Sequence, residues 1–194
     1  MKWQLVDKPG KYNIKVKVGE ELGVVVIGKN GETNIIVELM GKGARACVLG
    51  VIVGKRKDKI ILDTKTVHKV ANTHAETEVY GVMRGKAIAE VSGIIKIEKK
   101  AQRVTDFLTE KILLLSDEAQ VVVEPALEIE ADEVRASHAA TVAPIDKKQT
   151  FYLTSRGLSE IEAEKMIVRG FLETVMKKIK DDKIRKLVGE EIYA

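Results

Sequence analysis

Aromatic side chains make up only 4% of this 194-residue chain: three Phe, four Tyr and one Trp. A core without large rings must be filled by Val, Ile, Leu and Ala. That suits stacked strands, where β-branched side chains pack well on a pleated surface. The shortage of rings also bears on partners. The 33 basic and 29 acidic residues leave a net charge of only +4, and no basic cluster alternates with stacking aromatics, so nucleic acid is not an expected partner. The single cysteine, Cys47, excludes an internal disulfide and fits a reducing cytoplasm. No uninterrupted apolar run approaches the roughly 20 residues needed to cross a bilayer. The N-terminal MKWQLVDKPGKYNIKVKV is broken by charges and a Pro-Gly turn, and it lacks the apolar stretch of a signal peptide. A soluble cytoplasmic protein, with no membrane and no nucleic acid among its partners, is expected.

Catalytic motifs are missing too. GKNGETN is too short for a P-loop and lacks the Lys-Ser/Thr ending. No GxSxG nucleophile elbow occurs. A polysaccharide-cleaving β-helix enzyme would need clustered aspartates beside a basic partner and a secretion signal, and the chain has neither. The expectation is a protein that is not an enzyme, with any ATP-driven step supplied by a partner.

What the chain does have is strand after strand from about Gly10 to about Ile145. Tyr12, Ile14, Val16 and Val18 alternate with polar residues, the period of a half-buried strand. Val24 to Ile27 is a short buried run followed by a Gly28-Lys29-Asn30-Gly31 turn. Ile35 to Met40, Cys47 to Val53, Ile60 to Leu62, Glu78 to Met83, Ala87 to Ile97, Ala119 to Val123 and Leu127 to Glu130 repeat the theme. Lys55-Arg56-Lys57-Asp58-Lys59 is a charged turn between two of them. Sandwich, barrel and β-solenoid all accommodate such a run. Short loops and buried runs such as GVVVIG and CVLGVIVG favour the solenoid, although no strict repeat period is visible.

The C-terminal segment switches to helical periodicity after Gly157-Leu158. Ser159 and Glu162 form a capping box. Ala163, Met166, Ile167, Gly170, Phe171, Val175 and Ile179 make an apolar stripe at three-to-four spacing. Glu160, Glu164, Lys165, Glu173, Lys177 and Lys178 take the other face. Asp181-Asp182 ends this helix and caps a short second one, expected over Lys183 to Val188 and stopped by Gly189.

The stretch Leu127 to Leu172 carries the most specific pattern. Leu127-Glu128-Ile129, Asp132, Val134, Ser137-His138, Ala140-Thr141-Val142, Ile145-Asp146, Phe151-Tyr152-Leu153 and Ser155-Arg156-Gly157 stand at fixed offsets. It resembles the C-terminal signature of the SufB/SufD family, scaffold proteins of the SUF iron–sulfur assembly machinery. Thr77 and Gly81-Val82 extend the likeness back to about Val67. The resemblance implies a right-handed parallel β-helix over residues 1–150 and a helical segment over 151–194. It also implies a short SufD-like member lacking the N-terminal helical region of its longer relatives. Ala136 stands where many relatives carry Cys, and Ala139 and Ala143 stand where they carry Gly.

The resemblance implies that His138 takes part in forming an iron–sulfur cluster, as a metal ligand or relay at a subunit interface. The cluster would be transient and shared with a partner subunit, since one chain with one thiol cannot supply the usual four thiolates. Cys47, the only thiol, is a second candidate ligand, although a buried core thiol is the common outcome in ARACVLGVIVG. The implied partners are a SufC-like ABC-type ATPase, docking on Tyr152, Arg156, Gly157, Phe171 and Val175, and a second β-helix, either another copy or a SufB-like paralogue. A structural partner of the ATPase that binds no cluster is the alternative role. His68, His74, Glu76 and Glu78 are expected on a solvated strand face, as are Glu128, Glu130 and Asp132.

Overall fold

The computed structural model describes residues 1–193, and its eleven strands precede three helices. The strands are β1 (Lys2–Val6), β2 (Gly10–Val16), β3 (Glu21–Gly28), β4 (Gly31–Leu39), β5 (Arg45–Gly54), β6 (Lys59–His68), β7 (His74–Met83), β8 (Ile88–Ile97), β9 (Val104–Leu114), β10 (Gln120–Ile129) and β11 (Val134–Pro144). Odd-numbered strands form one sheet in the order β1-β3-β5-β7-β9-β11, and even-numbered strands form the other in the order β10-β8-β6-β4-β2. Every pairing is parallel. The chain therefore coils, visiting the two sheets in turn, and the expected β-solenoid is what the structure shows.

Lateral partners in a parallel sheet point to the same side, so the register sorts every strand into an inner and an outer face. Val24, Val48, Thr77 and Leu108 lie in one inward row of the odd sheet. Val37, Thr66 and Ile95 form an inward row of the even sheet. Between the sheets lies an aliphatic core that includes Val26, Leu39, Ile52, Leu62, Val79 and Val91. These residues are why the chain needs so few rings.

Of two long strands, β9 was not located from the sequence and β10 was read as two segments, Ala119 to Val123 and Leu127 to Glu130. In β9 the inward positions Asp106 and Glu110 break the apolar pattern, and in β10 Pro125 divides what is one continuous strand. Pro125 is tolerated because β10 ends its sheet.

The helices are α1 (Lys147–Ser155), α2 (Glu160–Met176) and α3 (Asp182–Tyr193). Asp146 caps α1, its carboxylate accepting from Lys148 N at 2.8 Å. Phe151-Tyr152-Leu153 therefore lies in a helix of its own, ahead of the helical periodicity that the sequence shows after Gly157-Leu158. The expected capping box of α2 is present, with Ser159 N donating to Glu162 Oε2 at 2.8 Å. Leu172, Val175, Met176 and Ile179 bury against Val25, Leu49, Val51 and Tyr80 on the outer face of the odd sheet, together with Val188 and Ile192 of α3. Met166, assigned to the apolar stripe, is 52% exposed instead. Gly189 does not stop α3, which runs through it with its α-carbon side turned toward Met176.

The two ends of the solenoid differ. At the first, β1 is only five residues long, and its inward positions Lys2 and Gln4, beside Leu22 and Val24, are exposed polar side chains. At the other, β11 runs for eleven residues and β10 for ten. Their inward positions include Leu127, Ile129 and Val142, which are 38%, 39% and 40% exposed because no further coil covers them.

Candidate functional site

His138 stands in the middle of β11, the last strand of its sheet, paired laterally with Leu108. It shares the inward face with Val134 and Ala136, which pack against the cluster of Ile95, Ile97, Val104 and Leu108. Yet His138 itself is exposed, since it sits on the uncovered end of the solenoid. Both terminal strands, β10 and β11, present an outer edge whose backbone N–H and C=O groups have no neighbouring strand. An apolar strand edge of this kind is a template for pairing with another chain. Among the described residues, no group of three or more His, Cys, Asp or Glu side chains is arranged to hold a metal ion. His138 alone therefore fits only a cluster whose other ligands come from elsewhere.

One coil beneath lies a polar interior that the sequence reading misplaced. His68 is fully buried, not on a solvated face. Its Nδ1 lies 2.7 Å from Thr73 Oγ1 and its Nε2 lies 2.9 Å from Asp106 Oδ2. Thr66 donates its hydroxyl to the same Asp106 oxygen at 2.5 Å. The alternation of β6 explains the error: Ile60, Leu62, Thr64, Thr66 and His68 share one parity, and that parity faces inward. Ala136, the position without a thiol, is the lateral neighbour of Asp106 on the terminal coil. Glu110, also fully buried, lies beneath Ala140. Neither of its oxygens has a hydrogen-bond partner, and burial pushes its carboxyl up to about 7. It occupies the space above Gly93, where a Cβ would come within 2.7 Å of Glu110 Oε1.

The remaining candidates lie on the outer face of the odd sheet. Cys47 is half-buried beneath the helices, its lateral neighbour being Glu76. Lys178 of the α2–α3 connection bridges Glu76 at 3.1 Å and Glu78 at 2.6 Å. Glu78 is thus nearly buried, which corrects its expected place on a solvated face. Burial first, then the Glu76 and Glu78 carboxylates, push the Cys47 thiol up to about 11, against the pull of Lys178. Cys47 belongs to a different face from His138, so the structure does not bring the two together. At neutral pH the thiolate of Cys47 is roughly 100-fold scarcer than that of an unperturbed cysteine. Alkylation by iodoacetamide at pH 7.4 should be at least about 100-fold slower in the folded protein than in urea. Equal rates would show that the thiol is open after all.

Tyr152 is 58% exposed on α1, with the Arg156 guanidinium 5.3 Å from its ring centroid and Gly157 closing the helix at φ +97°. Phe151, Ile161 and Met166 add exposed apolar surface nearby along α1 and α2. Val175 is different. It is fully buried between helix and sheet, and Phe171 packs on Tyr80 with ring centroids 5.2 Å apart. Both hold α2 down, so a partner reaching this unit meets α1 and the exposed side of α2 instead. Glu128, by contrast, lies outward as expected, within 3.1 Å of Lys96 and 3.5 Å of Lys65.

Residues 20–171 match the family model described as "SUF system FeS cluster assembly, SufBD core domain". The iron–sulfur cluster assembly protein SufD of Bacillus subtilis (strain 168) is 31% identical over 170 residues, an alignment covering 88% of this chain and 39% of that protein. SufD of Escherichia coli (strain K12) is 35% identical over 107 residues, covering 55% and 25%. An iron–sulfur cluster assembly SufBD family protein of Mycobacterium bovis is 31% identical over 143 residues, covering 74% and 17%. The chain thus spans well under half the length of these relatives.

Proposed function

The chain belongs to the SufB/SufD family, and from that premise we propose that it is an iron–sulfur cluster assembly scaffold subunit of a SUF-type complex. It pairs with a second β-helix through the β10–β11 end and engages a SufC-like ABC-type ATPase through α1 and the exposed side of α2. The observation that carries this reading is the open solenoid end with His138 at its centre. There an unpaired strand edge, uncovered apolar side chains and an imidazole occupy one surface. Docking a second chain buries Leu127, Ile129 and Val142 and completes the ladder. The same contact brings a second set of ligands to His138, which a cluster requires. Iron and sulfide are cargo here, and the partner contributes the thiolates.

The alternative role, a structural partner of the ATPase without a cluster, draws on Ala136 and Cys47. The edge offers no thiol, and the only thiol of the chain lies beneath the helices.

Anaerobic co-expression with the SufC-like ATPase of the same genome, reading stoichiometry and iron content together, tests both. We expect a stable complex whose iron is lost in His138→Ala while the protein stoichiometry is unchanged. A stable complex without iron supports the structural role. Absence of any complex overturns both readings and leaves only the fold.

A further inference from the structure

Glu110 has no part in the scaffold role, and its surroundings leave its carboxyl alone. The side chain is fully buried, and neither oxygen makes a hydrogen bond. It reaches across the interior to Gly93 of β8, where only a glycine leaves it room. The terminal coil adds one residue over each of these two positions: Ala140 lies beside Glu110 in the register and Pro125 beside Gly93. Ala140 brings a methyl group, and Pro125 brings neither a side-chain donor nor a backbone N–H. The coil thus roofs a carboxyl that it cannot solvate. Every inward position of β7, β8 and β10 is uncharged. The titratable groups on the inward faces around Glu110 are His138 of β11, Asp106 of β9 and, bonded to Asp106, His68 of β6. None of them moves the Glu110 carboxyl, which burial alone holds up at about 7.

A neutral carboxyl can remain beneath such a roof. An ionised one without a partner is strongly disfavoured there, and it needs water. The shortest route to water lies through the roof, because Ala140 is itself exposed. In the sheets, β11 is hydrogen-bonded only to β9 and β10 only to β8. The terminal coil can therefore open while the inner coils stay paired, as a local unit of lower stability. From this geometry we infer that Glu110 is a latch on the terminal coil: β10 and β11 stay seated while its carboxyl carries a proton and open more readily once that proton is lost. The sign follows from where each form ionises. Opening grows with pH from about 4.5, where the exposed carboxyl ionises, to about 7, where the buried one does so as well. The coil under this control is the one that presents Leu127, His138 and Val142. Opening it withdraws the pairing surface, a consequence that rests on the scaffold reading. The latch itself is a property of the free chain.

Native-state amide hydrogen exchange on the free full chain reads the latch with no partner present, so its failure and that of the scaffold reading are told apart. Rates are corrected for the intrinsic pH dependence of exchange and expressed as opening equilibria. We expect the ladder amides of residues 120–129 and 134–144 to open at least about tenfold more often than those of β5. Between pH 5.5 and pH 7.5 this opening should increase about tenfold or more. In Glu110→Gln the increase should vanish, and Glu110→Met makes the same test should the amide variant not fold. Terminal strands protected as strongly as β5, no increase with pH, or the same increase in the variants would each overturn the latch.

Discussion

Replacing Asp106 with Ala is expected to cost this protein about 3–5 kcal/mol, the range for breaking a buried ionic or hydrogen-bonded pair by removing one partner. Asp106 Oδ2 takes both the Thr66 hydroxyl and the Nε2 side of His68, and all three side chains are sealed from solvent. The hydroxyl of Thr73, which faces His68 Nδ1, is itself directed at Val70 O at 3.2 Å. Removing the carboxylate thus strands two buried polar groups at once, the Thr66 hydroxyl and the His68 Nε2 side. For a chain of this size the loss corresponds to a fall in Tm on the order of 10 °C. Asp106→Asn, which keeps one acceptor oxygen, should lose less. A double variant, His68→Leu/Asp106→Leu, should recover much of the loss, because it removes both halves of the unmet demand. Urea titrations of the four proteins read these differences directly. A cost below about 1 kcal/mol for Asp106→Ala would mean that the interior rearranges or admits water.

Glu110 should make stability fall with rising pH. A carboxyl raised from 4.5 to about 7 stays protonated in the folded chain over a range where the unfolded chain has already ionised. Folding then takes up a proton. Its favourable contribution is complete below about pH 4.5, declines through the window to about pH 7, and is gone above it. The shift corresponds to about 3 kcal/mol across the window. The cause is burial alone: Val79 and Ala140 beside Glu110, and Gly93 across from it, bring no charge. In Glu110→Gln this dependence disappears. Relative to the unaltered chain, the variant should therefore gain about 3 kcal/mol between pH 4.5 and pH 8, whatever its absolute stability. Urea unfolding at pH 4.5, 6 and 8 measures the difference, and a difference flat in pH would sink the argument.

Much of the architecture is legible in residue order, and the exceptions share one physical origin. Alternation located β2 and the apolar runs located β3 and β5, because those strands bury uniform aliphatic side chains. Where the inward face holds polar groups, as at Thr64, Thr66, His68, Asp106 and Glu110, the same rule points the wrong way and sends core residues to the surface. The repeat was hidden for a related reason. Val25, Leu49, Glu78, Thr109 and Ala139 form one lateral row, yet their spacing along the chain is not constant. The turns absorb the variation, so register is set in three dimensions and leaves no fixed period. The capping box of α2 was readable because it is local. That Val175 and Phe171 face the sheet was not readable, because an apolar stripe says that something covers it and does not say what. His138 was singled out as a candidate from the family signature, not from any pattern of spacing or charge. Its exposure follows only from β11 being the last strand.

The inequality of the two described ends of the solenoid bears on how the proposed pairing would grow or close. A filament grows when the trailing face of one unit accepts the leading face of the next. Here the first end is narrow, with a five-residue strand and Lys2 and Gln4 in its inward row, while the last is broad and aliphatic. The two do not match in length or in chemistry, so head-to-tail growth would bury charge and leave half of β11 unpaired. In the pairing proposed above, the last end meets the corresponding end of a second β-helix. Contacts of like with like are self-complementary and close on themselves after one step. On the proposed pairing, assembly through the β10–β11 end closes once two such ends have met.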